Sequence, residues 1–158
     1  NYRVFTSQAE VDDFITDNKI QTIIRDFNPL LQPQEECIEV DGLNIIPARF
    51  ISDHREYNAH TLRRKIYLHI AEFLTDIEET PDNEGFRILR EFIETKLYRY
   101  ADHRNNEDVT SRLSRYFNWG FLSPQRAAIE VLKSDTDSVN KEAFLEELIV
   151  RRELSSNF

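Results

Sequence analysis

Glycine, cysteine and methionine are scarce in this sequence, and each scarcity narrows the reading. Only 3 of 158 residues are glycine, and with many Leu, Ile, Glu and Arg this favours helix. One cysteine, Cys37, excludes an intramolecular disulfide and any multi-cysteine metal site, and suits a reducing cytosol. The four histidines, His54, His60, His69 and His103, show no metal-ligand spacing with carboxylates or cysteine, and His54 and His60 are expected on the surface. No apolar run approaches the length of a membrane-spanning helix. The opening Asn1-Tyr2-Arg3-Val4-Phe5 has no signal-peptide pattern, and methionine is absent even at the start, so the chain is expected to be a piece of something longer.

What is present describes a folded, water-exposed protein. Hydrophobic residues make up 40%, charged residues 31% and aromatics 11%, enough for one ordinary domain or two small pieces. The net charge of −9 argues against bulk binding to nucleic acid. The distribution is uneven, however. Between Glu84 and Arg126 eight Lys/Arg face six Asp/Glu, a local excess of positive charge that suits contact with phosphates only weakly.

The first forty-odd residues read as α/β. Ser7 with Glu10 three residues on has capping-box spacing, followed by an apolar stripe of Val11, Phe14 and Ile15 that Asp17-Asn18-Lys19 ends. Ile20 to Phe27 reads as a buried strand broken by Asn28-Pro29, and Cys37 to Val40 as a second strand before Asp41-Gly42. Two strands do not make a stable sheet alone. From about His54 the pattern is helical. Leu62, Ile66, Ile70, Phe73 and Leu74 make one long amphipathic helix, and Thr75 to Gly85 is an acidic, turn-rich linker. Phe86 to Tyr98 is a further helix with Phe86, Leu89, Phe92 and Ile93 on one face. Tyr100 to Val109 reads as a polar loop and Ser111 to Trp119 as a short helix. Ser123-Pro124 starts a helix through Ala127, Ala128, Val131 and Leu132. Phe144, Leu148, Ile149 and Leu145 anchor the last, to about Asn157. The fold class is α+β, mainly α.

One stretch is chemically unusual. "TSRLSRYFNWGFLSPQRA", Thr110 to Ala127, crowds hydroxyls, arginines and aromatics together. Thr110, Ser111 and Ser114 place hydroxyls and free N–H groups at an expected helix start, with Arg104 and Arg112 nearby, a combination that suits a phosphate or pyrophosphate. The same residues would serve equally as a double N-cap on a surface helix.

This stretch, together with "FLEELIVRRELSSNF" from Phe144 to Phe158, resembles the flavin-binding helical domain of the photolyase/cryptochrome family. With "DGLNIIPARFISDHREYNAHTLRRKI", Asp41 to Ile66, the similarity is to class II cyclobutane pyrimidine dimer photolyases in particular, and "IIRDFNPL" resembles the last strand region of the family's N-terminal α/β antenna domain. The resemblance implies that residues 1–53 end that α/β domain, 54–85 form a connecting helix and the acidic linker, and 86–158 begin the all-α FAD-binding domain. The family has a helix between the two strands, where this chain has only Leu31 to Glu36.

The resemblance also assigns roles. The Thr-Ser-x-Leu-Ser motif that holds the FAD pyrophosphate falls on Thr110, Ser111, Leu113 and Ser114, with Arg112 at the variable position. A tyrosine followed four residues later by arginine, which contacts the flavin, falls on Tyr100 and Arg104, with Tyr98 as a competitor. Glu147 matches the glutamate that faces the pyrimidine dimer and adenine. Arg151, four residues on and expected on the same face, matches an arginine near flavin and substrate. Phe144 sits where relatives have an aromatic beside the cofactor, and Val150 where other classes have tryptophan. Arg115 replaces the usual proline and either approaches DNA phosphate or lies in solvent; Arg126 and Arg152 are further DNA-binding candidates.

The implied cofactor is FAD, with an antenna chromophore in longer family members. The implied partner is ultraviolet-damaged DNA in the cytoplasm, or in the nucleus of a eukaryote. The family's C-terminal half, which closes around the isoalloxazine, has no counterpart before Phe158, so a partial site is expected. Three readings follow: a light-driven carbon–carbon lyase repairing pyrimidine dimers, a flavoprotein of the same fold without repair activity, and a helical interaction module without cofactor. A surface salt bridge is the plain alternative for Glu147 and Arg151. Trp119 and Phe121 are expected in the core, and Arg63-Arg64-Lys65 on a solvated helix face.

Overall fold

The computed structural model describes residues 3–31, 37–75 and 83–157. Helices dominate, and a two-stranded parallel sheet lies near the N-terminus. Helix α1, Gln8–Asp17, starts at Ser7, whose hydroxyl accepts the Glu10 N–H at 3.4 Å. The Glu10 carboxylate reaches back to the Thr6 N–H at 2.9 Å, one residue earlier than a capping box would place it. Val11, Phe14 and Ile15 are half-buried.

Strand β1, Ile23–Asp26, is shorter than the eight residues expected and is not a buried strand. It pairs with β2, Cys37–Val40, with Ile23 opposite Cys37 and Asp26 opposite Val40. One strand face is half-buried and the other open, leaving Ile24, Ile38 and Val40 exposed, because two strands have only one covered side; Ile20, before β1, is exposed as well. That covered side carries a cross-strand ion pair, Arg25 to Glu39 at 2.8 Å, which Arg49 joins at 2.6 Å.

The chain leaving β2 is shaped by Asp41. Its carboxylate accepts the N–H groups of Leu43 at 3.2 Å, Asn44 at 3.0 Å and Ala48 at 2.9 Å, which starts the short helix α2, Ala48–Ile51. Helix α3, Ala59–Phe73, is capped by Asn58 and buries Leu62 and Ile66. Before it, the buried Glu56 carboxylate takes Lys65 at 2.5 Å, Thr61 at 2.6 Å and Ser52 at 3.0 Å. Chiefly the Lys65 contact holds the Glu56 pKa down to about 2. Two of the three residues expected on a solvated face are therefore tied down: Lys65 binds Glu56, and Arg63 pairs with Glu146.

Most of the acidic linker lies outside the described residues. Its last two residues, Glu84 and Gly85, belong to helix α4, Glu84–Thr95, which Asn83 caps. Phe86, Leu89 and Phe92 bury their side chains along one stripe. The stretch Tyr100 to Val109 is not the polar loop its composition suggests. A 3-10 turn at Leu97–Arg99 runs into α5, Tyr100–His103, and a second covers Glu107–Val109. Its charges face outward while Tyr100 and Val109 are buried.

Helix α6, Ser114–Asn118, begins three residues later than expected, and α7, Pro124–Lys133, starts at Ser123-Pro124 as expected. One long helical run closes the chain: α8, Ser138–Leu145, a π-helical segment Glu146–Arg151, and α9, Arg152–Ser156.

The core joins Leu62, Ile66, Leu89, Phe92, Leu97, Leu113, Leu122, Val131 and Val150. Trp119 and Phe121 are not part of it; they are 78% and 60% exposed. The turn at Gly120 (φ 69) follows the short α6, and Tyr116 and Phe117 fill the core positions instead. Among the described residues, no helix is long and apolar enough to cross a membrane.

Candidate cofactor site

The residues singled out from sequence converge from three parts of the chain. Tyr100 comes from α5, Ser111 from the approach to α6, Ser114 from its first residue, and Phe144 and Glu147 from the last helical run. Together with Phe117, Asn118, Leu148 and Arg152 they line a cleft of about 350 Å³. A second cleft, lined by Lys96, Arg112 and Arg115 among others, adjoins it at Ser111.

One wall is aromatic and rigid. The rings of Phe92, Tyr100 and Phe144 pack with centroids 4.8 to 5.8 Å apart. Asn140 fixes this wall from behind: its Oδ1 accepts the Ala101 N–H at 2.7 Å, and its Nδ2 donates to the Tyr98 carbonyl at 2.8 Å. Burial, helped by the nearby Glu147 charge, pushes the Tyr100 hydroxyl pKa above its ordinary value, so it remains a neutral donor at physiological pH. Tyr98, the competing candidate, is exposed and does not line the cleft.

The facing wall is polar backbone. Residues 110–113 are not helical, so the double N-cap does not form: Leu113 occupies the N-cap position without a side-chain bond. Thr110 instead turns its hydroxyl to the Glu107 carbonyl at 3.0 Å, away from the cleft. Leu113 is fully buried, so its side chain packs in the core and does not face a cofactor. Arg112 adopts φ 56 and Leu113 is right-handed helical, a sequence of conformations that turns successive N–H groups toward one side. Among the described residues the N–H groups of Ser111 to Ser114 meet no acceptor, and the Ser111 and Ser114 hydroxyls meet no partner. Helix α6 is too short for a strong dipole, so what this wall presents is free N–H and hydroxyl groups rather than a helix end.

The last helical run supplies the charge. Glu147 is partly exposed and lies 3.8 Å from Arg104. Arg151 does not share its side of the helix. The π-helical segment bonds residue i to i+5, so Arg152 rather than Arg151 joins Glu147 at the cleft, and Arg151 lies 3.8 Å from Glu146. The expected Glu147–Arg151 pairing is therefore not found.

Two of the three arginines expected at DNA are withdrawn from the surface. Arg126 is buried and pairs with Glu130 at 3.4 Å. Arg152 is half-buried, donating to the Leu43 carbonyl beside the Phe117 ring. Arg115 stays exposed, with its guanidinium bonded to the Tyr116 hydroxyl at 2.6 Å and 3.8 Å from Glu84. Sequence reasoning missed Glu153 and Asn140, which hold the site's surroundings. A buried carboxylate in the run "VRREL" carries no sequence signal that separates it from a solvated one. No cluster of metal-ligating side chains occurs among the described residues.

No family model matches the chain. Curated proteins do. The chain is 30% identical to the deoxyribodipyrimidine photo-lyase of Potorous tridactylus, an alignment covering 92% of this chain and 37% of that protein. It is 28% identical to the deoxyribodipyrimidine photo-lyase of Arabidopsis thaliana, over 96% of this chain and 43% of that protein. A third, from Methanothermobacter thermautotrophicus, is 30% identical over 76% of this chain and 34% of its own length. The chain thus spans less than half the length of these relatives. The first two alignments run over 200 and 213 positions, more than the 158 residues available, so these relatives carry segments between the parts that match. Over the part of those proteins that it spans, the chain belongs to the photolyase family.

Proposed function

We propose that this chain forms part of the FAD site of a light-driven lyase that splits cyclobutane pyrimidine dimers in DNA. The observation that carries the reading is the meeting of Tyr100, Ser111, Ser114, Phe144 and Glu147 at one cleft, although they come from separate parts of the chain. The fit to a flavin dinucleotide is chemical. An aromatic wall suits a planar ring system, and the wall of free N–H and hydroxyl groups suits a pyrophosphate.

Ser111 and Ser114 would hold the phosphates through their hydroxyls and the free N–H groups beside them. Phe144, in the aromatic wall, would hold the ring system. Glu147 stands at the open side of the cleft, where a carboxylate accepts hydrogen bonds from the N–H edge of a pyrimidine. A dimer reaches such a site by leaving the duplex, and a damaged pair costs less to open than an intact one. The flavin, when bound, supplies the electron chemistry of ring splitting; the protein supplies position and electrostatics. Arg115, exposed beside the site, suits a DNA phosphate. The single Cys37 suits a reducing compartment, the cytoplasm or a nucleus.

The test is the visible absorption spectrum of the purified chain after incubation with FAD, repeated with Ser111 and Ser114 both changed to alanine. Bound flavin that the double variant loses supports the reading, and dimer-repair assays on the longest available form then follow. Flavin bound equally by both proteins refutes the serine wall as the phosphate site. Absence of bound flavin in the wild type favours a helical module of photolyase ancestry.

A further inference from the structure

Arg152 is a cation of the cleft that the sequence motif does not point to. It stands five residues after Glu147, and the π-helical turn between them brings both to the same cleft. Arg151 turns away toward Glu146 and is more than half exposed. The Arg152 guanidinium donates from Nη1 to the Leu43 carbonyl, and its central carbon lies 5.6 Å from the centre of the Phe117 ring, itself part of the cleft wall. A bond to a neutral carbonyl leaves the guanidinium without a carboxylate in direct contact, and the Glu153 and Asp41 charges act on it only at longer range. Among the described residues no carboxylate lies within ion-pair distance of Arg152. The nearby carboxylates direct their hydrogen bonds to backbone and not to Arg152: Glu153 accepts the Ile45 and Ile46 N–H groups, and Asp41 accepts those of Leu43, Asn44 and Ala48. A half-buried cation with no carboxylate in direct contact is well placed to gain from an anion that reaches it. The cleft offers that place, since Ser111 and Ser114 line it as well. A guanidinium has five N–H donors in a fixed fork, so the Leu43 bond leaves donors for a second acceptor.

We infer that Arg152, rather than Arg151, is the side chain that meets the phosphates of the cofactor, with the Leu43 carbonyl holding its guanidinium in place. The inference rests on the flavin reading above and names the cation that recognises the anionic part of the ligand.

Calorimetric titration with FAD and with riboflavin tests it, because riboflavin keeps the ring system and has no phosphate. Arg152→Gln weakens FAD binding about tenfold or more, as expected for losing a charge-assisted bond, and leaves riboflavin binding unchanged. Arg151→Gln alters neither. Arg152→Lys recovers only part of the loss, since a point-charge ammonium lacks the fork that serves two acceptors at once. Circular dichroism reports whether Arg152→Gln folds; if it does not, Arg152→Lys against Arg151→Gln carries the same comparison. FAD affinity unchanged in the Arg152 variants, an equal loss for both flavins, or a loss confined to Arg151→Gln overturns the inference. A wild type that binds neither flavin refutes the flavin reading instead. Inorganic pyrophosphate is then the probe: binding lost in Arg152→Gln keeps the anion site, and no binding removes it.

Discussion

The Glu153 carboxylate accepts the Ile45 N–H at 2.9 Å and, through the same oxygen, the Ile46 N–H at 3.2 Å. The last helix thereby holds the segment that leaves β2, the same segment whose Leu43 carbonyl takes Arg152. Glu153 is almost wholly buried, and its second oxygen has no partner. Burial pushes its pKa up to about 7, against the pull of the two N–H groups and Arg152, and Asp41 adds to the rise.

The sign of the pH effect follows from that raised value. A carboxyl that binds its proton more tightly when folded contributes stability that is fully present below its ordinary pKa of 4.5 and lost as pH rises through about 7. The loss is on the order of 3 kcal/mol. Glu153→Gln keeps an acceptor for Ile45 and Ile46 and cannot ionise. Urea unfolding at a series of pH values should show wild-type stability declining between about pH 4.5 and 7, levelling off above that, and the variant staying flatter; parallel curves would refute the assignment.

Asn140 ties the start of α8 to the turn that presents Tyr100, through Ala101 and Tyr98. Asn140→Ala removes the partner of that N–H and that carbonyl, both part-buried, at a cost of about 1 to 2 kcal/mol. The effect should reach the cleft, because Tyr100 stands between the two bonded residues. Thermal unfolding measures the first consequence. FAD titration measures the second, expected as weaker binding at temperatures where the variant remains folded.

The helices of this protein were legible where one apolar stripe decides them. Phe86, Leu89 and Phe92 mark α4, and Ser123-Pro124 marks the start of α7 at the right residue. The candidate site was legible because its residues stand in ordered motifs, and the cleft brings Tyr100, Ser111, Ser114, Phe144 and Glu147 together. The failures have physical causes. Helical spacing assumes bonds from i to i+4, so a π-helical segment moves Arg152 into the place expected of Arg151. Aromatic residues report burial only where the backbone turns them inward, and the Gly120 turn leaves Trp119 and Phe121 outside. Composition hid the anchors Tyr100 and Val109 among polar neighbours, and it cannot separate a buried glutamate such as Glu153 from a solvated one.

Gly85 and Gly120 are needed for different reasons, and substitution separates them. A Cβ on Gly85 would meet the Tyr116 side chain, at Cγ, Cβ and Cδ1, at 3.1 to 3.2 Å. Alanine normally favours a helix over glycine by up to about 1 kcal/mol, so only contact can make Gly85→Ala unfavourable. Tyr116 has little freedom to yield: it is buried, its hydroxyl is bonded to Arg115 at 2.6 Å, and the same guanidinium lies 4.7 Å from its ring centre. The expected result is a net loss of about 1 kcal/mol, accompanied by weaker FAD binding, because displacing Tyr116 displaces α6 and the serines before it. A methyl group on Gly120 would meet nothing within 4 Å, but the φ of 69 at this position lies in the left-handed region. Gly120→Ala should cost about 1 to 2 kcal/mol through backbone strain alone, and Gly120→Asn should recover part of it, since asparagine tolerates that conformation. Gly85→Asn should recover nothing, because its longer side chain meets the same ring. Chemical denaturation of the four variants distinguishes the two causes, and recovery at Gly85 with asparagine would show that the Tyr116 contact does not limit the substitution.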